Sequence, residues 1–85
     1  MREFEFTITD SAGIHARPAG LLVKKASEFK SEIVISTKDK SANAKKLIML
    51  MSLGIRQGMD ITCRIEGEDE EKAFTEMKAF FESNL

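Results

Sequence analysis

Two residues in one short stretch have the types and spacing for chemistry. In Gly13-Ile14-His15-Ala16-Arg17-Pro18-Ala19 the chain's one histidine is followed two positions later by an arginine. The stretch lies where a strand-like pattern gives way to a helix-like one. The first N–H groups of such a helix, at Ala16 and Arg17, have no acceptor inside it. Together with the helix dipole they form an anion site that suits a phosphate. The same positive end disfavours an imidazolium and leaves a neutral ring nitrogen as nucleophile. A neutral imidazole attacks a phosphoryl group in line, and the resulting phosphohistidine can pass the group on. Arg17 would compensate the charge of the transferring group. No general base is required, because the attacking nitrogen brings its own lone pair. Pro18 lacks an N–H, which costs nothing in a first turn. The residue before a proline resists helical angles, so Arg17 is expected to enter the helix imperfectly. Spacing alone leaves a plainer alternative open, with His15 a polar cap, Arg17 a solvated surface arginine and Gly13 a turn residue.

The surrounding elements must hold this stretch in place. Phe4, Phe6 and Ile8 alternate with Glu5, Thr7 and Thr9, the period of a half-buried strand. Asp10-Ser11-Ala12-Gly13 breaks that strand with turn chemistry. Ala19, Leu22, Val23, Ala26 and Phe29 then form one apolar helix face, with Lys24, Lys25 and Glu28 off it. Gly20 inside that helix costs about 0.5–1 kcal/mol relative to alanine. Ser31 to Thr37 is strand-like through Ile33, Val34 and Ile35. Lys38-Asp39-Lys40 reads as a hairpin connection into a short strand over Ser41 to Ala44. Lys45 to Leu53 predicts a short helix stopped by Gly54, with a strand as the competing reading. Met59, Ile61, Cys63 and Ile65 alternate with polar residues in the cleanest strand of the sequence, which Gly67 ends. Glu68 to Glu71 place acid on the first turn of a final helix that buries Ala73, Phe74, Met77, Phe80 and Phe81. The order β-α-β-β-α-β-α predicts a two-layer α+β sandwich, one sheet covered on one face by helices.

Composition narrows the function. Eighty-five residues make a single domain, 1–85, with one core and no room for a deep substrate cavity. Thirteen Lys and Arg against fourteen Asp and Glu give a net charge of −1, which argues against nucleic acid as the main ligand. The absence of Trp and Tyr weakens that reading further. One cysteine and one histidine leave no cluster for a metal, and no cofactor is expected. The N-terminal residues show no apolar signal region, and the run Leu47 to Met51 is too short to cross a bilayer. A cytoplasmic protein without membrane insertion is expected.

The stretch Gly13 to Ala19 resembles the active-site signature of the histidine-containing phosphocarrier protein (HPr) family of the bacterial sugar phosphotransferase system. Ser41-Ala42-Asn43-Ala44-Lys45 and Met51-Ser52-Leu53-Gly54-Ile55 resemble the family's second signature, at the family's distance from the first. Length and element order agree as well, so the resemblance covers nearly the whole chain. It implies an open-faced β-sandwich of four antiparallel strands with three helices on one side. It implies that His15 accepts a phosphoryl group from phosphorylated enzyme I on Nδ1 and donates it to IIA domains of sugar permeases, with Arg17 supporting the phosphate. Such a protein is a group carrier rather than an enzyme, and a monomer is expected. Partner docking would involve Gly20, Lys24, Leu47, Ile48 and Met51, with Leu50 in the core and Lys24, Lys45 and Lys46 ringing the apolar patch. The alternative is an HPr-like regulatory binding module acting through the Leu47–Met51 surface without carrying sugar flux. Three positions depart from the family pattern. Lys46 stands where kinase-regulated members carry serine, so no regulatory serine is expected. Ala12 replaces a polar residue near the histidine, and Gly20 replaces a larger one.

Overall fold

Alternation makes the strands. Phe4 is buried and Glu3 and Glu5 are exposed in β1 (Arg2–Thr7), the first element of the computed structural model, which describes residues 1–85. The same logic places Ile33 and Ile35 inward in β2 (Glu32–Ser36), Ala42 in β3 (Ser41–Asn43), and Ile61, Cys63 and Ile65 in β4 (Asp60–Glu66). The four strands form one antiparallel sheet in the order β1-β4-β2-β3. Register pairs Phe4 and Ile35 from opposite sides with Cys63, so the inward side chains make a continuous apolar face.

Three helices cover that face: α1 (Ala16–Ala26), α2 (Leu47–Met51) and α3 (Glu70–Asn84). Ala19, Leu22 and Ala26 of α1 and Ala73, Met77 and Phe81 of α3 are all buried in one core with the strand residues. Phe81 meets Phe4 and Phe6 edge-on, with ring centroids 5.3 and 5.5 Å apart, and Phe74 meets Phe4 at 5.6 Å. Full burial of each aliphatic or aromatic side chain contributes roughly 1.5–3 kcal/mol.

The helix ends differ from the sequence reading in instructive ways. The apolar series of the first helix runs on to Phe29, but α1 stops at Ala26. The Ser27 hydroxyl donates to the Val23 carbonyl at 2.7 Å, and the Phe29 N–H donates to Ala26 at 3.2 Å, so a tight turn carries Phe29 into the core. The second helix is shorter than Lys45 to Leu53. Asn43 takes the Lys45 N–H on its side chain and the Lys46 N–H on its carbonyl, and this turn delays the helix to Leu47. At the far end Ser52 caps α2, while Gly54 at φ 66° completes the following turn. The helical reading of this run stands over its strand rival. In α3 the helix begins at Glu70, and Asp69, its N-cap residue, spends its carboxylate elsewhere. It accepts the N–H groups of Lys30 and Ser31, both at 2.9 Å, and the Ser31 hydroxyl. These bonds hold the start of α3 against the turn between α1 and β2.

Candidate functional site

The loop before His15 is built by its own backbone. The Asp10 carboxylate accepts the Ala12 N–H at 2.8 Å, and the Asp10 carbonyl accepts the Gly13 N–H at 2.9 Å. This turn needs a left-handed residue at its end, and Gly13 supplies it with φ 66°. Gly13 also lies flat against the Ile55–Arg56 backbone, where a Cβ would collide with the Ile55 carbonyl and approach the Arg56 Cα to 2.7 Å. The Ile14 N–H donates to Ile55 at 3.1 Å and the Ile14 side chain is buried. The loop is thus pinned to residues 55 and 56 one step before the histidine.

His15 is the N-cap residue of α1, in an extended conformation with φ −110° and ψ −173°. Its carbonyl accepts the first helical bond from Ala19 at 2.9 Å, but its ring caps none of the helix's N–H groups. The ring is exposed, and the leading donors of Ala16 and Arg17 have no acceptor within the helix. The first turn carries no acidic residue to neutralise it, while Lys24 and Lys25 sit in the last turn. An exposed imidazole beside free donors and a positive helix end is suited to an anionic electrophile such as a phosphoryl group. Arg17 and Pro18 both lie inside α1, so the steric bias before proline does not displace Arg17 from the helix. The bias is a preference, and the buried Pro18 ring outweighs it here.

A pocket at this end of α1 is lined by Asp10, His15, Arg17, Pro18, Leu21 and Asn84. His15 and Arg17 both line it. Asp10, Leu21 and Asn84 are additions that the motif did not single out. Leu21 is 46% exposed beside the buried Leu22, a placement that follows from the turn of about 100° between successive helix residues. Asn84 arrives from the other end of the sequence and no local pattern announces it.

The expected docking positions are all on the surface. Gly20, Lys24, Leu47, Ile48 and Met51 are exposed, Ile48 at 78%, and α1 packs beside α2. Gly20 faces open space, with nothing near where a Cβ would stand. Leu50 is buried to 1% exposure, as its place in the core requires. Met49, which the sequence reading passed over, is 50% exposed and extends the apolar patch. Lys46 is exposed at the N-cap of α2 and makes no side-chain cap bond. Lys45 is a correction to the expected basic ring: it is half-buried, and its ammonium donates to the Phe29 carbonyl at 2.7 Å. No group of three or more His, Cys, Asp or Glu side chains is placed to hold a metal ion, and no helix is long and apolar enough to cross a membrane.

Comparison with known proteins adds an independent line. Residues 2–83 match the family model described as the PTS HPr component phosphorylation site. The chain is 46% identical over 85 residues to the phosphocarrier protein HPr of Mycoplasma genitalium, an alignment covering 99% of this chain and 97% of that protein. The crystal structure of HPr-C-His from Thermoanaerobacter tengcongensis superposes with a TM-score of 0.92 at 41% identity, covering 98% of this chain and 93% of that one. The Bacillus subtilis catabolite repression protein Crh, crystallised as a domain-swapped dimer, superposes with a TM-score of 0.78 at 32% identity, covering 100% of this chain and 98% of that one.

Proposed function

The chain belongs to the HPr family of phosphocarrier proteins of the phosphotransferase system, and from that premise we propose that it carries a phosphoryl group on His15 from phosphorylated enzyme I to IIA domains of sugar permeases. The observation that carries this reading is the exposed, uncapped His15 ring at the N-terminus of α1. The Nδ1 lone pair of His15 attacks the phosphorus, the new P–N bond forms, and the bond to the donor atom of enzyme I breaks. The Ala16 and Arg17 N–H groups and the Arg17 guanidinium offset the charge on the phosphoryl oxygens. Transfer to a IIA domain runs the same step in the other direction, with His15 as leaving group. The protein ends each cycle unchanged and turns over no small molecule of its own.

In this reading residues 1–85 act as a single cytoplasmic, monomeric unit. Partners dock on Gly20, Lys24, Leu47, Ile48 and Met51, where an apolar patch flanked by cationic side chains suits an acidic partner face. Lys46 takes no part in seryl regulation, because lysine has no hydroxyl to phosphorylate. Incubation with phosphoenolpyruvate and enzyme I tests the proposal: an acid-labile, alkali-stable adduct on His15 is expected. An adduct of equal yield on the His15→Ala variant refutes the assignment of the site.

The likeness to Crh favours one second reading, a regulatory binding module that uses the Leu47–Met51 surface and carries no sugar flux. The His15-Ala16-Arg17 set argues against it, since a pure binder has no use for a reactive imidazole. Pull-down with and without enzyme I and phosphoenolpyruvate separates the two. Capture indifferent to phosphorylation favours the binder.

A further inference from the structure

The chain's five methionines are not equivalent. Met77 lies in the core on α3, with no exposed surface. Met59 is half-buried, and its sulfur accepts the Arg56 N–H at 3.2 Å. Met1, Met49 and Met51 are exposed, the last two at 50% and 39%. Met1 stands just before β1, whereas Met49 and Met51 belong to α2. In that helix only Leu50 is buried, so Leu47, Ile48, Met49 and Met51 form its outer surface. Two of these four side chains are thioethers.

The difference between a thioether and an aliphatic side chain is chemical. Leucine and isoleucine are inert to hydrogen peroxide, whereas a methionine sulfur is oxidised by it. A sulfur lone pair attacks one peroxide oxygen, the O–O bond breaks, the S–O bond forms, and the second oxygen leaves as water. Sulfur loses two electrons and the peroxide gains them. The step needs an accessible sulfur with a free lone pair, which Met49 and Met51 offer and Met77 does not. The product is a polar sulfoxide. Burying it against an apolar partner surface costs free energy unless a donor is supplied.

We infer that Met49 and Met51 are sites of oxidation by peroxide, and that their sulfoxides weaken the docking of partners on α2. The consequence rests on the docking role given to that surface above. Neither methionine lines the pocket of His15, so oxidation slows the arrival of partners and leaves the imidazole as reactive as before. Methionine sulfoxide is reduced by dedicated reductases, so the change is reversible.

Graded hydrogen peroxide followed by peptide mass spectrometry reads the sites. Met49 and Met51 are each expected to gain one oxygen at least about tenfold faster than Met77, with Met1 as the exposed control away from α2. Oxidation of Met49 and Met51 only as slow as that of Met77 overturns the inference. Phosphoryl transfer from enzyme I, measured against the concentration of this protein, reads the consequence. Oxidation is expected to raise KM by about three- to tenfold with kcat held, and a methionine sulfoxide reductase restores it. Phosphorylation by phosphoramidate, a small donor that needs no docking, is expected to be unchanged. The double variant Met49→Leu/Met51→Leu, compared with its own untreated rate, is expected to lose nothing to peroxide. An unmoved KM, a loss shared by the double variant, or an equal loss with phosphoramidate overturns the inference. Ile48→Ser runs alongside, because it makes the same surface polar without a thioether. A raised KM for Ile48→Ser with none for the oxidised protein defeats only the role of the methionines, whereas an unmoved KM in both defeats the docking reading as well.

Discussion

Gly13 lies against Arg56 so closely that a Cβ added to the glycine would stand 2.7 Å from the Arg56 Cα. Two residues before His15, the backbone of one loop uses the backbone of another as its floor. Gly13 also holds φ at 66°, so both space and dihedral angle exclude a side chain. Gly13→Ala is expected to destabilise the protein by about 2–4 kcal/mol, from left-handed strain and from overpacking. Urea unfolding with an unchanged slope checks it, and a loss under about 0.5 kcal/mol, the scale of an ordinary surface substitution, contradicts it.

Lys46 occupies the N-cap of α2 without a cap bond, at the end of a helix where a cation is unfavourable. Lys46→Ser supplies an acceptor for a free N–H and removes the charge. The variant is expected to be more stable by about 0.5–1 kcal/mol. Thermal unfolding reads the gain, and a lowered midpoint argues that Lys46 has a partner worth more than the cap.

Much of this was legible in the sequence, for definable reasons. Strand alternation at Phe4 or Cys63 and the helix face of Ala19, Leu22 and Ala26 are local periodicities, and the fold keeps them because one face of each element is buried. His15 and Arg17 were legible because a glycine turn, a helix start, the one histidine and an arginine sit within five residues. What stayed hidden is non-local. Asn84 reaches the pocket only because the Leu85 oxygen ties α3 to Thr9 and Asp10, and Lys45 leaves the basic ring only because the Phe29 carbonyl is within reach. The Asp69 carboxylate likewise bonds across the fold to Lys30 and Ser31, where the sequence suggested an acid serving its own helix.

That carboxylate predicts a pH dependence. The Ser31 hydroxyl, then the Lys30 N–H, hold Asp69 down from 3.8 to about 2. A lowered folded-state value means that its contribution is complete above the unfolded value of about 3.9 and is lost as pH falls toward about 2. Hydrogen bonding to the Met1 amine lowers Glu70, and hydrogen bonding to Lys25 lowers Glu76, so the wild type loses stability in acid for several reasons. Asp69→Asn is expected to flatten stability against pH between about 4 and 2 while leaving the other contributions. Parallel wild-type and variant curves in that window contradict the prediction.

Cys63 sits fully buried in β4, and burial pushes its thiol up to about 12. Thiolate is the reactive form, so the native protein is expected to resist an aromatic disulfide reagent at pH 8 and to react at the rate at which it unfolds. Rapid labelling of folded protein contradicts the placement of this side chain in the core.

In the reading proposed above, His15 carries the phosphoryl group. The most direct measurement is radiolabelled phosphoryl transfer from phosphoenolpyruvate through enzyme I to the wild type and to His15→Ala. The wild type is expected to take up one equivalent, stable in alkali and lost in acid, and to pass it to a IIA domain, while His15→Ala takes up none. Equal labelling of the two proteins would remove His15 as the carrier, and a wild type that enzyme I leaves unlabelled would remove the phosphocarrier role.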